Sequence, residues 1–369
     1  MKFVVNQTTL SKALSLVGKG AGISSTVPVL NSVKISTIGA DIELQTTDLN
    51  IAVKHIIPGN VQEEGSVLVS LRVLLSIIKT LPDAPITFQT TDEGIQLSCS
   101  NSTFSILTLN IEEFPPFPEY EIQSSVELST QLLNQMVERV YKVTSNDVAR
   151  PILSGILFTA DNNTLRLVAV DTHRLAICDT NTQTSSLAGE FSIVVPGKAF
   201  HDALTLSEED EKATLAASEN HIIFTFAHTT FISRKIEGTF PNYKQLLPQS
   251  SKTTITLPLE ELSEALRRVS SIMAQNPSVH FKLDLDEKLL TLTTANKETG
   301  KAQENLPISG NGESMTFTLN HRYVQEGISP LLSDNQTKVS LELQDATQPA
   351  IFKAFGEINY LYLLMPIRM

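Results

Sequence analysis

The stretch PILSGILFTADNNTLRLVAVDTHRLAI, Pro151 to Ile177, decides the fold because the chain carries its pattern three times. Apolar and polar residues alternate on both sides of the turn formers Asp161, Asn162 and Asn163, the pattern of a β-hairpin with one face turned inward. A sibling, PVLNSVKISTIGADIELQTTD, starts at Pro28, and another, PSVHFKLDLDEKLLTLTTAN, at Pro277. The three close on Asp48, Asp171 and Asn296, at intervals of roughly 125 residues, the size of an ordinary domain.

Outward from each hairpin the likeness continues. Amphipathic helical stretches precede it: TLSKALSLV from Thr9, STQLLNQMVERVYKV from Ser129 and PLEELSEALRRVSSIM from Pro258. Leu10, Leu14 and Val17 share a helical face, as do Leu133, Met136 and Val140, and Leu262, Leu266 and Val269. Ser129 and Pro258 suit helix starts. A second helical stretch follows each hairpin, from Val69, Val195 and Leu319, and further strands close each third. The spacing predicts three units of two helices and about eight strands each, an α+β class and neither a doubly wound parallel sheet nor a solenoid of short repeats. Polar linkers near EIQSSV and SSKTT put their bounds at 1–124, 125–252 and 253–369.

Composition limits the function classes. The 369 residues are 41% hydrophobic, and no apolar run approaches the roughly 20 residues that span a bilayer. The start, MKFVVNQTTL, has no charged segment followed by an apolar core, so a cytoplasmic protein without a membrane partner is expected. A net charge of -12 excludes a uniform nucleic-acid coat yet permits a local basic lining. Cys99 and Cys178 each lie in a strand-like run with no partner at metal-ligand spacing, which predicts buried or half-buried thiols, not a disulfide or zinc site. The histidines form no HxxxH pair, and no metal or cofactor is expected. GKGAG, Gly18 to Gly22, lacks the Ser or Thr of a phosphate-binding loop, and SEEDE, Ser207 to Glu211, lacks the spacing of a calcium loop.

Asp171, His173 and Arg174 invite a catalytic reading as acid, base and anion clamp. No nucleophile, metal or cofactor motif accompanies them. Asp171 is better read as a turn former, since Asp48 and Asn296 occupy its place in the other repeats. No catalytic residue is therefore expected, and an enzyme built on this cluster is the outlying alternative.

Three marks, LVAVDTHRLAI, IEGTFPNY followed by LLP, and the terminal LMPIRM, stand in the order and spacing of a known family. The chain resembles, from Met1 to Met369, the bacterial replicative sliding clamps, the β subunit of DNA polymerase III. The resemblance implies a non-catalytic processivity factor. Three clamp domains per chain would form a head-to-tail homodimer, a six-domain ring around duplex DNA. Its implied partners are double-stranded DNA without sequence preference, a second copy, the DNA polymerase III alpha subunit, the clamp loader, and other polymerases and repair proteins bearing short linear motifs. A heterologous interface closes into a ring when its rotation fits. A ring linked topologically to DNA needs only weak phosphate contacts, which reconciles an acidic chain with a DNA partner.

Basic residues of the helical stretches that could face DNA are Lys12, Arg72, Lys79, Lys142 and Lys198, and Arg150, in the loop NDVAR, matches a family position associated with DNA or pocket-rim contacts. Further basic residues on the helical stretches are Lys19, Arg139, Arg267, Arg268 and Arg322, although neighbouring glutamates could pair with them. For the ring joint the resemblance implies Phe104 and Ile106 on one side and Ile272 and Met273 on the other. For a partner-peptide pocket it implies Leu153, Thr172, His173, Arg174 and Leu175, then Pro241 and Leu246. Pro349, Leu363, Met365, Pro366, Ile367 and Arg368 complete the pocket. Leucine, methionine and proline suit adaptable apolar walls, with His173, Arg174 and Arg368 as polar anchors at the rim. This chain departs from the family at Thr172, usually glycine, at Gln245, often arginine, and at Pro151, Ile152 and Ser24. A monomeric peptide-binding scaffold of the same fold is the alternative reading.

Overall fold

The computed structural model describes residues 1–22, 25–161, 164–181, 191–206, 212–273 and 277–367. The expectations for Ser24, Asn162, Asn163, the 207–211 turn and Arg368 lie outside the described residues.

One order of elements recurs in each third. The first runs β1 (Lys2–Asn6), α1 (Gln7–Val17), β2 (Ser32–Ile38), β3 (Asp41–Thr47), β4 (Ile51–Pro58), β5 (Asn60–Glu63) and β6 (Ser66–Ser70). It ends with α2 (Leu71–Thr80), β7 (Pro85–Thr91), β8 (Gly94–Cys99) and β9 (Ser102–Ile106). The middle third has β10 (Ser124–Ser129), α3 (Thr130–Val140), β11 (Gly155–Ala160), β12 (Thr164–Val170), β13 (Arg174–Asn181) and β14 (Phe191–Pro196). There follow α4 (Gly197–Leu204), β15 (Lys212–Ala217), β16 (His221–Thr225) and β17 (Thr229–Arg234). The last third has β18 (Thr253–Pro258), α5 (Leu259–Ser270), β19 (Ser278–Asp284), β20 (Leu289–Asn296), β21 (Gly300–Pro307), β22 (Ser309–Asn311) and β23 (Met315–Asn320). It closes with α6 (His321–Ser333), β24 (Lys338–Leu343), β25 (Ala350–Ala354) and β26 (Asn359–Leu364).

All named strands pair antiparallel, as the alternating pattern requires. In each third the hairpin, β2 with β3, β11 with β12 or β19 with β20, sits in a sheet flanked by the strand that enters the second helix and the strand that follows the hairpin. The remaining strands form a second sheet ending in β9, β17 or β26. Sheets then join from one third to the next. β4 pairs with β17, placing Ala52 opposite Ile232, and β13 pairs with β26, placing Leu175 opposite Leu363. The results are an eight-stranded and a nine-stranded sheet. β9 and β21 are left as edge strands of a five-stranded and a four-stranded sheet.

The residues group into two compact units, Met1–Gln131 with Asp202–Lys235, and Leu132–His201 with Ile236–Met369. Each unit contains one of the shared sheets, and the division falls inside the middle third because that third lends one sheet to each. In the first unit α1 buries Leu10, Ala13, Leu14 and Val17. In the second, α5 buries Leu259, Leu262, Ala265, Leu266 and Val269, while Leu133, Met136 and Val140 of α3 are buried as their spacing predicts. Each such leucine contributes roughly 1.5–3 kcal/mol of transfer free energy, which tertiary burial adds to a helix too short to persist alone.

Two polar residues of the second unit are set differently from a surface pattern. Arg139 is only 6% exposed, ion-paired with Asp334 at 2.5 Å and bonded to the Gln135 carbonyl at 3.0 Å. It is a core residue and not one of the surface cations expected from its helix. Cys178 is buried, its thiol pushed up to about 12 by loss of water and held 3.4 Å from the Met136 carbonyl oxygen. Cys99 is buried as well.

Gly327, inside α6, lies against Tyr362: a Cβ there would come within 2.3 Å of the ring. Gly327→Ala is therefore expected to lower stability by roughly 1–3 kcal/mol through overpacking, although alanine is about 1 kcal/mol the better helix former. Urea denaturation that finds the variant more stable would refute this packing.

Candidate functional site

The period of two divides β13 between two faces. Arg174, Ala176 and Cys178 turn toward α3 and α6, while Leu175, Ile177 and Asp179 turn away. On that second face Leu175 stands opposite Leu363, Ile177 opposite Leu361 and Asp179 opposite Asn359. β12 adds Val170, Val168 and Arg166 in the same rows, and β25 adds Ile351 and Lys353. The face thus grades from apolar at Leu175 to charged at Asp179.

A short turn before β11 sets Leu153 into the apolar end, and the segment after β17 lays Phe240, Tyr243 and Leu247 over it. Leu153, Leu175, Leu363, Ile351 and Tyr243 form one buried cluster. Around it stand side chains left in solvent, Leu246 at 48% exposure and Met365 at 40%. Pro241, Pro349, Pro366 and Ile367 are half-buried, and Thr172 and His173 are exposed. The Met365 N–H donates to the His173 carbonyl at 2.8 Å and the Ile367 N–H to the Thr318 carbonyl at 2.8 Å, which fixes the tail beside the 171–173 turn. The His173 ring stacks near Tyr323, centroids 6.1 Å apart. Arg150, for which the resemblance left DNA and the pocket rim open, reaches this rim: it donates to the Thr172 hydroxyl at 2.8 Å and to Asp147 at 2.9 Å.

The 171–174 turn is held by its own aspartate. One oxygen of Asp171 accepts the N–H groups of His173 at 2.7 Å and Arg174 at 2.9 Å, as Asp48 accepts those of Asn50 and Ile51, and Asn296 that of Glu298. Its other oxygen takes Arg174 Nε at 3.0 Å. Arg174 further donates to Glu326 and to the Lys142 carbonyl, and its guanidinium lies 4.3 Å from the Tyr323 ring centre. At 7% exposure it is no rim anchor, a correction to the expectation from the motif. Burial pulls its acidity one way, but Tyr362, Glu326 and Asp171 outweigh it and leave the guanidinium more firmly charged than usual. Asp171 and Arg174 thus spend their polar groups on structure, and no group of three potential metal ligands occurs among the described residues.

Other expected residues fall elsewhere. Lys12, Arg72, Lys79, Lys142 and Lys198 are exposed on or beside the helices, with Lys142 Nζ 3.4 Å from Ser329 Oγ. Lys19 lies 3.8 Å from Asp202, and Arg322 is exposed. Arg268 is held by Glu304 at 2.9 and 3.0 Å and by Glu264 at 3.2 Å, and Arg267 lies 3.7 Å from Glu264. Phe104 and Ile106 sit on the edge strand β9, facing the side of Leu97 and Ile95. Ile272 and Met273 are half-buried beyond α5, where the Thr299 hydroxyl bonds the Ile272 carbonyl at 2.5 Å beside β21. The motif reading missed Tyr243, Ile351, Val168 and Val170 as walls of the cluster and Tyr323 and Glu326 as the holders of Arg174. Strand parity marks Val168 and Val170, while nothing local marks the rest.

Family models match the whole chain in succession: DNA polymerase III beta subunit, N-terminal domain over 1–118, central domain over 127–242 and C-terminal domain over 244–368. Curated relatives include the beta sliding clamp of Synechococcus elongatus, 27% identical over 376 residues, and that of Vibrio cholerae, 28% identical over 379 residues, each aligned over 100% of both chains. Among solved structures, the sliding clamp of Pseudomonas aeruginosa bound to griselimycin superposes with a TM-score of 0.92 at 25% identity, covering 100% of both chains.

If Arg174 ties the turn to α6 as described, Arg174→Ala should lower unfolding free energy by roughly 3 kcal/mol, the cost of breaking a buried pair. Thr172→Ala, at the exposed rim, should change it by less than about 0.5 kcal/mol. Equal urea midpoints for the two variants would contradict this division of roles.

Proposed function

The chain belongs to the DNA polymerase III beta subunit family and is a non-catalytic sliding clamp, a polymerase processivity factor; on that premise we propose that two copies close head to tail into a ring around duplex DNA. One observation carries the proposal. In two thirds of the chain the strand after the hairpin pairs with the last strand of the next third, β4 with β17 and β13 with β26. By the same rule β21 calls for the last strand of a following third, and β9 for the strand after the hairpin of a preceding third. Each remains a sheet edge, and unpaired edges recruit partners. A second copy supplies both. Phe104 and Ile106 on β9 and Ile272 and Met273 beside β21 then furnish the apolar core of the joint.

The three domains of this ring take the bounds of the repeat, 1–124, 125–252 and 253–369. Lys12, Arg72, Lys79, Lys142 and Lys198 supply diffuse phosphate contacts, enough for a ring that is threaded and need not grip. The cluster of Leu153, Leu175 and Leu363, rimmed by Leu246 and Met365, receives short linear motifs of the DNA polymerase III alpha subunit, the clamp loader and other polymerases or repair proteins. The setting is the cytoplasm, where these partners work; no helix among the described residues is long and apolar enough to cross a membrane.

The decisive experiment loads the protein onto nicked circular DNA with a clamp loader and then linearises the circle. Release on cutting is the expected outcome. Equal retention on circle and line would mean ordinary binding, and failure to load while a control ring loads would favour the monomeric scaffold. Ile272→Glu with Met273→Glu should give monomers by light scattering, and a dimer mass would sink the joint. Deleting Met365 to Met369 should abolish binding of a polymerase alpha peptide while the circular dichroism of the fold persists; unchanged affinity would remove the tail from the pocket.

A further inference from the structure

We propose that a second, charged groove continues the partner-peptide pocket and takes a carboxylate on the flank of the docked peptide. The inference rests on the pocket reading above. A hollow of about 330 Å³ opens between the segment after Leu247 and β24–β25, lined in part by Pro349 and Ile351, the first a pocket residue and the second a member of its buried cluster. It shares Leu247, Lys353 and Leu361 with a larger hollow of about 580 Å³ that extends to Asp179, Lys244 and Phe355. A chain leaving the pocket past Pro349 therefore has a continuous path, of a size that accepts a ligand of a few residues.

Its lining selects the ligand. Ile177, Leu247 and Leu361 make an apolar floor, and Phe355, 70% exposed, offers an uncovered ring at the far end. Three cations line the two hollows, Arg166, Lys244 and Lys353, against two acids, Asp179 and Glu342, which leaves one positive charge in excess on a chain of net charge -12. Arg166 pairs with Asp179 at 3.3 Å and Lys353 with Glu342 at 2.7 Å. Lys244 makes no ion pair among the described residues and is exposed beside them. Arg166 also keeps a buried Nε without a hydrogen-bond partner. One excess positive charge beside two acids suits a single carboxylate and disfavours a phosphate dianion, which the acids would repel.

The test uses the full chain and fluorescent peptides copied from the clamp-binding segment of the host's DNA polymerase III alpha subunit. Each is made without extension, with Asp-Glu at either end, and with Gly-Gly at either end. Anisotropy at low salt should show one Asp-Glu peptide binding roughly three- to fivefold tighter than its Gly-Gly twin, the reach of an exposed ion pair. The gain should vanish in 1 M NaCl and in Lys244→Glu. Comparing the C-terminal free acid with the amide of the Gly-Gly peptide distinguishes a terminal carboxylate from an acidic side chain as its source. Equal affinities throughout, or a gain that survives Lys244→Glu, would overturn the groove and leave the pocket standing. No binding by any peptide would overturn the pocket and the groove with it.

Discussion

A β-strand hydrogen-bonds on two sides, and the architecture of this chain follows from how that demand is met. Each repeat makes two sheets, and each sheet ends in a strand with one bare side. The chain satisfies these strands by pairing a repeat with its successor, so that β4 meets β17 and β13 meets β26. The row in which Leu175 faces Leu363 exists only because residues of different repeats share a sheet, and the proposed peptide pocket is built on that row. The proposed ring closure extends the same pairing from one molecule to the next.

The two joints inside the chain share a register but not a filling. At the first, Ala52 and Ile232 face each other with Ile223 and Ala216 beside them, and Phe117 packs above. At the second, Leu175, Leu363 and Ile351 take the matching rows, and Tyr243 packs above. The covering segments carry the same phrase, Phe114-Pro115-Pro116-Phe117 in one and Phe240-Pro241-Asn242-Tyr243 in the other. Lys54 stands at the first joint where Ile177 stands at the second, and its ammonium lies 4.7 Å from the Phe117 ring centre. A cation over the aromatic cover gives the first joint a polar surface. The second keeps an apolar one, so a small change of side chains on a repeated backbone gives the two joints different surfaces.

What the sequence displayed most plainly was local. The helix faces through Leu10, Leu133 and Leu262 and the three hairpins follow from periods of 3.6 and two, and the Asp171 turn follows from an acceptor placed two and three residues before its donors. Arg174 adjoins Leu175 in a strand, so the two side chains leave on opposite faces, and strand parity separates the buried guanidinium from the apolar row that Leu175 joins. The pairing of Leu175 with Leu363 spans 188 residues, and nothing local encodes it. Arg139 was read as a surface cation because helical spacing does not reveal that Asp334 lies across from it. Arg166 and Lys353 are hidden for the same reason: charge in a strand reads as solvent exposure until the neighbouring strand is known.

Sheets shared between repeats also decide what can be cut away. The thirds look like modules, yet none is self-contained. A middle third excised at its linkers would leave β13 and β17 without their neighbours, two raw edges where the intact chain has a continuous ladder. Such a fragment would invite aggregation and not simply lose a partner.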